Sequence, residues 1–481
     1  MAPAARESTP LLHAGDEREA GDNVANRWRL ADDDKAISYT VFTEMATMPT
    51  LLFSRFHMLM FIEVLGLRAS QVAAAQVIFC VWNLSNVLLA GRIVSGHAAK
   101  YGSILGLLCA VQLLWNVAAC LPFADINAGF MQSSGGTLYY LACICLYDAF
   151  LSLAGVARPV LLGQISQGEE ERVHFKRWSS LLGNVEALAP LVGYGLWSAT
   201  APGRFRLFLG GTTLVATGCN CWSAARLAAY VPERPGKDAE GASPPVLLFL
   251  RSLSADVWVY IAVFSLHELQ SALHGQYAAL VIETWLAESG HSLRVAALAS
   301  LSTVSGLVCF AATWVATRHG VYEVILWTFR LKVSLILAIV IWGAIDLSAA
   351  TVCVLLFVGT ITMDLLTYFS VVLVVNLMDD MDARRRAGGA SHPLAGYANA
   401  FGPALLASYS AFFVKPWGSA GTVLGAWALA GDAAAGEAGR ARAFAILAGA
   451  PLLVGLAQLA LWQRGGGPAL RRGRAERATG S

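Results

Sequence analysis

Ionisable side chains stand inside long apolar runs of this sequence, where a charge is costly and is kept for a cavity or a partner. Glu44 and Arg55 are eleven residues apart, three turns, so on a helix they share a face. Asp148 and Arg158 are ten apart and out of phase, and Glu186 follows in the next apolar run. Glu44, Asp148, Arg158 and Glu186 form either a buried ion network between neighbouring helices or a set that meets a solute or a proton. The residue types leave both open. In H-E-L-Q-S-A-L-H, His267 and His274 are seven apart, on one face two turns from each other, with Glu268 beside the first. Such a pair hydrogen-bonds a solute, titrates near neutrality or simply packs. Asn83 and Asn86, three apart in V-W-N-L-S-N, bond across helices or take a solute. Asp364 completes the set of cavity candidates, while Glu323, Arg330 and Lys332 are read as interfacial side chains that snorkel.

Several chemistries are excluded. The histidine spacing is not the H-E-x-x-H of zinc hydrolases, and the C-x-C pairs Cys143/Cys145 and Cys219/Cys221 lack further ligands at zinc spacing. No metal site, cofactor or disulfide framework is expected. Tyr147-Asp148 supplies one half of an aspartyl protease pair, but Asp364 in T-I-T-M-D-L-L lacks the flanking glycines. No nucleophile–base set and no ATP-binding P-loop stands out. The chain is read as neither an enzyme nor an ATP-driven pump.

The elements that must position these residues follow from composition. Of 481 residues, 56% are hydrophobic and 14% charged, against about 25% charged in soluble domains. A bilayer core needs about 20 apolar residues per helix, because backbone amides in lipid must be satisfied internally. That ruler gives twelve runs: 36–62, 70–95, 102–123, 137–162, 176–199, 206–230, 257–284, 295–317, 321–345, 348–375, 393–415 and 442–463. The fold class is therefore all-α, a polytopic membrane protein of about 12 transmembrane helices in two six-helix bundles. The expected organisation is a disordered cytosolic tail over 1–35, a bundle over 36–230, a linker over 231–256, a second bundle over 257–463 and a basic tail over 464–481. With both termini in the cytosol, 23 Lys and Arg fall on the cytosolic side and seven on the other, Lys415 among the seven. The net charge of +2 gives no field for nucleic acid.

The N-terminal tail carries E-S-T-P-L-L, in which Glu7, Leu11 and Leu12 form an acidic dileucine pattern read by clathrin adaptors. It points to an endolysosomal or vacuolar membrane, or the plasma membrane, of a eukaryotic cell.

Residues 81–92, V-W-N-L-S-N-V-L-L-A-G-R, resemble the span-2 signature W-D-x-x-N-D-P-x-x-G of the glycoside–pentoside–hexuronide:cation symporters. C-L-Y-D-A-F-L-S-L (145–153), H-G-V-Y-E-V (319–324), V-V-N-L-M-D-D (374–380) and V-K-P-W-G-S-A-G-T-V-L-G-A-W (414–427) look closer to an orphan branch, the transmembrane-protein-180-like carriers of the major facilitator superfamily. The resemblance implies the facilitator fold and a central cavity. It also shows departures. Asn83 and Val87 stand where the symporters carry carboxylates, and Asn86 keeps the amide between them. The family's acidic positions on spans 4 and 1 fall near Gly155 and Thr47, with Asp148 and Glu44 close by, and Arg177 matches a family arginine. Ser95 stands where an aspartate latches the cytosolic gate. Asparagine carbonyls alone hold a hard cation weakly, so sodium coupling and sugar specificity do not carry over.

The function expected is a secondary-active or facilitative carrier of a small polar organic solute, worked by rocking of two halves. Glu44, Asp148 and Glu268 are the candidates for proton coupling. The alternative is a transport-dead receptor or scaffold of the same fold in an endolysosomal membrane.

Overall fold

The structure is a computed structural model and describes residues 33–231, 246–275, 281, 285, 291–388, 402–429 and 437–465. The dileucine residues Glu7, Leu11 and Leu12, most of the central linker and nearly all of the basic C-terminal tail lie outside the described residues.

Among the described residues there is no strand, and twelve long helices carry the architecture. In the first half these are α1 (Asp33–Val64), α2 (Ala69–Tyr101), α3 (Leu105–Cys120), α4 (Ser134–Ile165), α5 (Gly168–Glu186, resumed as Leu188–Leu196) and α6 (Gly203–Leu227). In the second they are α7 (Ala255–Gly275), α8 (His291–His319), α9 (Val321–Ile345), α10 (Ala349–Gly388), α11 (Gly402–Leu429) and α12 (Glu437–Gly465). Among the described residues, seven helices are long and apolar enough to cross a membrane by length and composition. The first turns of α5, G-E-E-E-R-V-H-F-K-R, keep it below that measure.

Burial supports a bilayer as the solvent. Leu207 and Ile345 are 80% exposed and Leu214 76%, an outward apolar coat that water would not tolerate and hydrocarbon does. Two glycines shape the turns between helices. Gly102 (φ 74°) ends α2 and Gly320 (φ 87°) precedes α9, both in the left-handed region that side chains avoid. These turns lie at the end of the bundle that also holds the start of α1, the terminal face. There Lys35 pairs with Glu171 at the start of α5, and Asp34 accepts from Arg226 near the end of α6, at 2.7 Å.

Each half closes on itself: α2 on α4 and α3 on α4 and α6 in the first, α7 on α11 and α12 and α9 on α10 and α12 in the second. The halves meet where α2 runs along α11 and α5 along α8, with α10 touching α4 and α5. Small residues set the closest approaches. A Cβ at Gly421 of α11 would stand 2.2 Å from the Leu269 carbonyl oxygen of α7, so the backbones themselves touch. Gly421→Val is therefore expected to cost about 2–3 kcal/mol through forced separation of the helices. Gly96→Ala, with nothing within 4 Å, is expected to be neutral or slightly stabilising. Thermal unfolding in detergent compares the two, and equal midpoints would show that α7 and α11 are not locked.

The structure carries the tenth helix to Gly388 rather than 375, and moves the eleventh with greater consequence. The eleventh helix reaches Leu429 rather than ending at 415, so Lys415 stands inside α11 and not in a loop. The run after it opens with Pro416 and is rich in Gly and Ala, so its hydropathy contrast is weak and the window stopped at the charge.

Candidate functional site

Two of the three helices that carry candidate glutamates are interrupted at them, while α7 runs unbroken through Glu268. α1 turns at Glu44, passes through a 3-10 turn over Met45–Thr47 and resumes at Met48 with Pro49 in its first turn. Carbonyls around the break meet side-chain donors: Asn116 of α3 donates to Ala46 at 2.8 Å and Tyr147 of α4 to Thr50 at 3.1 Å. α5 breaks at Ala187, directly after Glu186, with Pro190 just beyond. Broken helices at membrane depth survive only where neighbours or a cavity satisfy the backbone, and they recur at carrier binding sites.

The four acidic and basic candidates of this half divide into two groups. Glu44 accepts from Ser179 of α5, and Glu186 lies two turns further along that helix. Glu44, Glu186 and Arg158 of α4 stand within Coulombic reach of one another, yet Arg158 makes no ion pair among the described residues. Its guanidinium lies over Trp115 of α3, 5.6 Å from the ring centroid, and its Nε and Nη2 are buried without a partner.

Asp148 faces the other way and joins the two halves. Its Oδ2 accepts from Asn86 of α2, and Lys415 of α11 donates to its Oδ1 at 3.0 Å. Lys415 also donates to Ser152 at 2.7 Å, and Ser152 donates to Asn86 Oδ1 at 3.0 Å, closing a four-residue ring. Asn83 does not enter it: its Oδ1 is buried and unpartnered, on the side of α2 that carries Cys80 and Val87. Cys80 meets Ser419 of α11 at 3.8 Å.

In the second half, His267 exchanges a 2.8 Å hydrogen bond with Thr367 of α10, and His274 packs on Gly359 of the same helix. The shared face of the two histidines is thus turned to α10. Glu268 points to α11 instead, where a Cβ at Gly418 would lie 3.2 Å from its Oε1, and it is electrostatically coupled to Lys415. Asp364 accepts from Ser305 of α8 at 2.5 Å and faces Arg55 across the halves. Lys332 departs from its expected interfacial place. It is 3% exposed, donating to Gln270 and, at 2.7 Å, to Gln458, because three helices enclose it and two amides replace water.

A second junction between the halves closes the terminal face. Arg172 of α5 donates to Asn376 at 2.6 Å and Asp379 at 2.5 Å, both on α10, and to Ser166 at 3.2 Å. Asn376 donates to Glu169 at 2.9 Å, and Glu169 accepts the Val321 N–H at the start of α9 at 3.1 Å. A carboxylate on a helix N-terminus is favoured by the dipole.

No protein-family model matches the sequence. Transmembrane protein 180 of Mus musculus is 31% identical over 71 residues, which are 15% of this chain and 14% of that protein. Solved structures match far more of the chain. A bacterial homologue of the iron transporter ferroportin, in an outward-facing state, superposes with a TM-score of 0.59 over 90% of this chain and 100% of that one, at 13% identity. The E. coli fucose:proton symporter gives 0.57 over 90% and 98%, at 12% identity. The major facilitator superfamily proton:xylose symporter bound to 6-bromo-6-deoxy-D-glucose gives 0.55 over 92% and 98%, at 12% identity.

The chain has the major facilitator fold. At such identities the likeness shows the fold alone. Within that facilitator frame, sequence reasoning missed Lys415 and the latch residues Glu169, Arg172, Asn376 and Asp379. The latch had a visible signal, G-E-E-E-R at the start of α5 and N-L-M-D-D near the end of α10, two charged helix ends flanking apolar runs.

Proposed function

We propose that the chain is a secondary-active or facilitative carrier of a small polar organic solute, working by alternating access of its two halves. The observation that carries this reading is the Asn86–Asp148–Ser152–Lys415 ring. It is a buried charge pair spanning both halves, where a rocking motion must break it. The latch of Arg172 and Glu169 belongs to the same reading, because it ties the halves at one face only. The Lys and Arg excess supports a cytosolic position for that face, which makes this the outward-facing conformation of the proposed carrier. Glu44 at the α1 break, Asp148 on its lysine and Glu268 near the same lysine are the groups through which protons would couple. Sodium has no carboxylate pair on α2 to bind it. Routing to an endolysosomal membrane through Glu7, Leu11 and Leu12 rests on the sequence pattern of the tail.

The test is thermal stability of the purified chain with sugars, amino acids and organic acids, at about pH 5.5 and about pH 7.5, with and without sodium. A ligand at a hundredfold excess over its Kd is expected to add about 2.7 kcal/mol to stability. Selective, sodium-independent stabilisation, followed by counterflow of the same solute in proteoliposomes, is the expected result. Neither binding nor counterflow across the panel would sink the carrier and favour a transport-dead scaffold of the same fold.

A further inference from the structure

Two opposite charges in the first half are left unpaired although each acts electrostatically on the other: Glu186 is buried, and Arg158 is half-buried with its Nε and Nη2 enclosed. Arg158 presents Nε and Nη2 without a partner, and these two nitrogens form the side-on edge of the guanidinium, whose parallel N–H bonds match the two oxygens of a carboxylate. The guanidinium carbon lies over the Trp115 ring, 5.6 Å from its centroid, and the Trp115 and Tyr147 ring centroids are 5.6 Å apart. The Trp115 indole Nε1 is itself buried without an acceptor, and Gln112, one turn earlier on α3, has its Nε2 buried without an acceptor and its Oε1 without a donor. Four donor atoms on Gln112, Trp115 and Arg158 therefore await acceptors. Leaving such groups unsatisfied in a membrane core costs about 1–3 kcal/mol each.

The negative end is built separately. Glu186 is 9% exposed, has no ion pair among the described residues and closes the first segment of α5 at its break. Ser179 holds Glu44 two turns before it. Lys176, nearer the terminal face, lies over the Tyr368 ring at 5.0 Å and balances Glu44. Glu44, Glu186, Arg158 and Lys176 carry two formal charges of each sign. A simple anion or cation would leave a net charge at this depth, whereas a ligand carrying both signs would leave none.

We propose that Arg158 and Glu186 are the two ends of a binding site for a zwitterionic metabolite of the amino-acid class. The carboxylate lies on the Arg158 edge beside the Trp115 N–H, and the ammonium on Glu186 with Glu44 behind it. The inference deepens the carrier reading and rests on it.

The experiment measures thermal shifts of the full chain with each standard amino acid. The best binder is then compared with its N-acetyl form (anion), its primary amide (cation) and its N-acetyl amide (neutral). The free amino acid is expected to stabilise, and each blocked form to bind roughly tenfold or more weakly. Arg158→Lys keeps the charge but not the fork and is expected to lose roughly tenfold or more. Should that variant not fold, the four-form comparison on the native chain decides alone. Blocked forms that bind as tightly as the free amino acid overturn the proposal, as does the absence of any shift with amino acids. If sugars or organic acids bind instead, the carrier reading stands and only the zwitterion fails. If nothing binds and no counterflow occurs, both fail together.

Discussion

Lys415→Met and Asp148→Asn are each expected to cost about 3–5 kcal/mol of stability and to abolish solute movement, because each leaves its partner charged and unpaired in the protein interior. Asp148 is 7% exposed and Lys415 19% at the side chain. With the lysine gone, Asn86 still donates to Asp148 and Ser152 to Asn86, but one neutral amide donor cannot offset a carboxylate at this depth. The double replacement Asp148→Asn with Lys415→Met removes both charges, and its expected cost is far below the sum of the two singles. A double-mutant cycle on unfolding in detergent reads the coupling directly. Single costs that simply add would mean that the 3.0 Å contact contributes nothing.

Stability and transport are expected to separate in that double variant. A carrier that rocks must dissolve the α4–α11 bond in each cycle, so the pair is both a tie and a point where a solute or proton competes. The double variant should fold and fail to transport. If it transports normally, the ring is only glue between the halves and the observation carrying the proposed function is lost.

The sequence makes the helical membrane architecture legible because lipid imposes a strong rule: every span must be an apolar run of sufficient length. That rule is weakest where a span carries a charge for function. Lys415 and Pro416 in the middle of α11 broke the window, and the residue that bridges the halves fell into a supposed loop. Similarly, Lys332 reads as a snorkelling side chain until three helices are seen to enclose it with Gln270 and Gln458. Phase arithmetic placed Asp148 and Arg158 on different faces, and they do join different clusters. It could not say what each would face, since the partners lie on helices distant in sequence. The break in α1 had a local signal in Pro49, but its stabilisation by Asn116 and Tyr147 is a tertiary fact.

Arg172→Ala is expected to open the terminal face. Arg172 is 3% exposed at the side chain and makes three hydrogen bonds, two of them to α10. Charge-assisted bonds contribute about 1.5–3 kcal/mol each, and Asp379, 44% exposed, belongs at the low end. A net loss of about 3 kcal/mol from the latched state alone moves its equilibrium by roughly two powers of ten. Because the bonds join the halves rather than hold either one together, the unfolding midpoint should change little while access changes greatly. The reporter is Val375→Cys, at a position fully buried on α10 where it passes Gly163 of α4, with maleimide labelling read on its peptide by mass. Labelling should be slow with Arg172 present and faster by roughly two powers of ten in Arg172→Ala. Asn376→Ala, which frees Glu169 from one of its bonds, should fall between. Unchanged labelling in Arg172→Ala would mean that the close packing of α2 on α11 and α5 on α8 keeps that face shut unaided. The latch would then be a consequence of closure and not its cause.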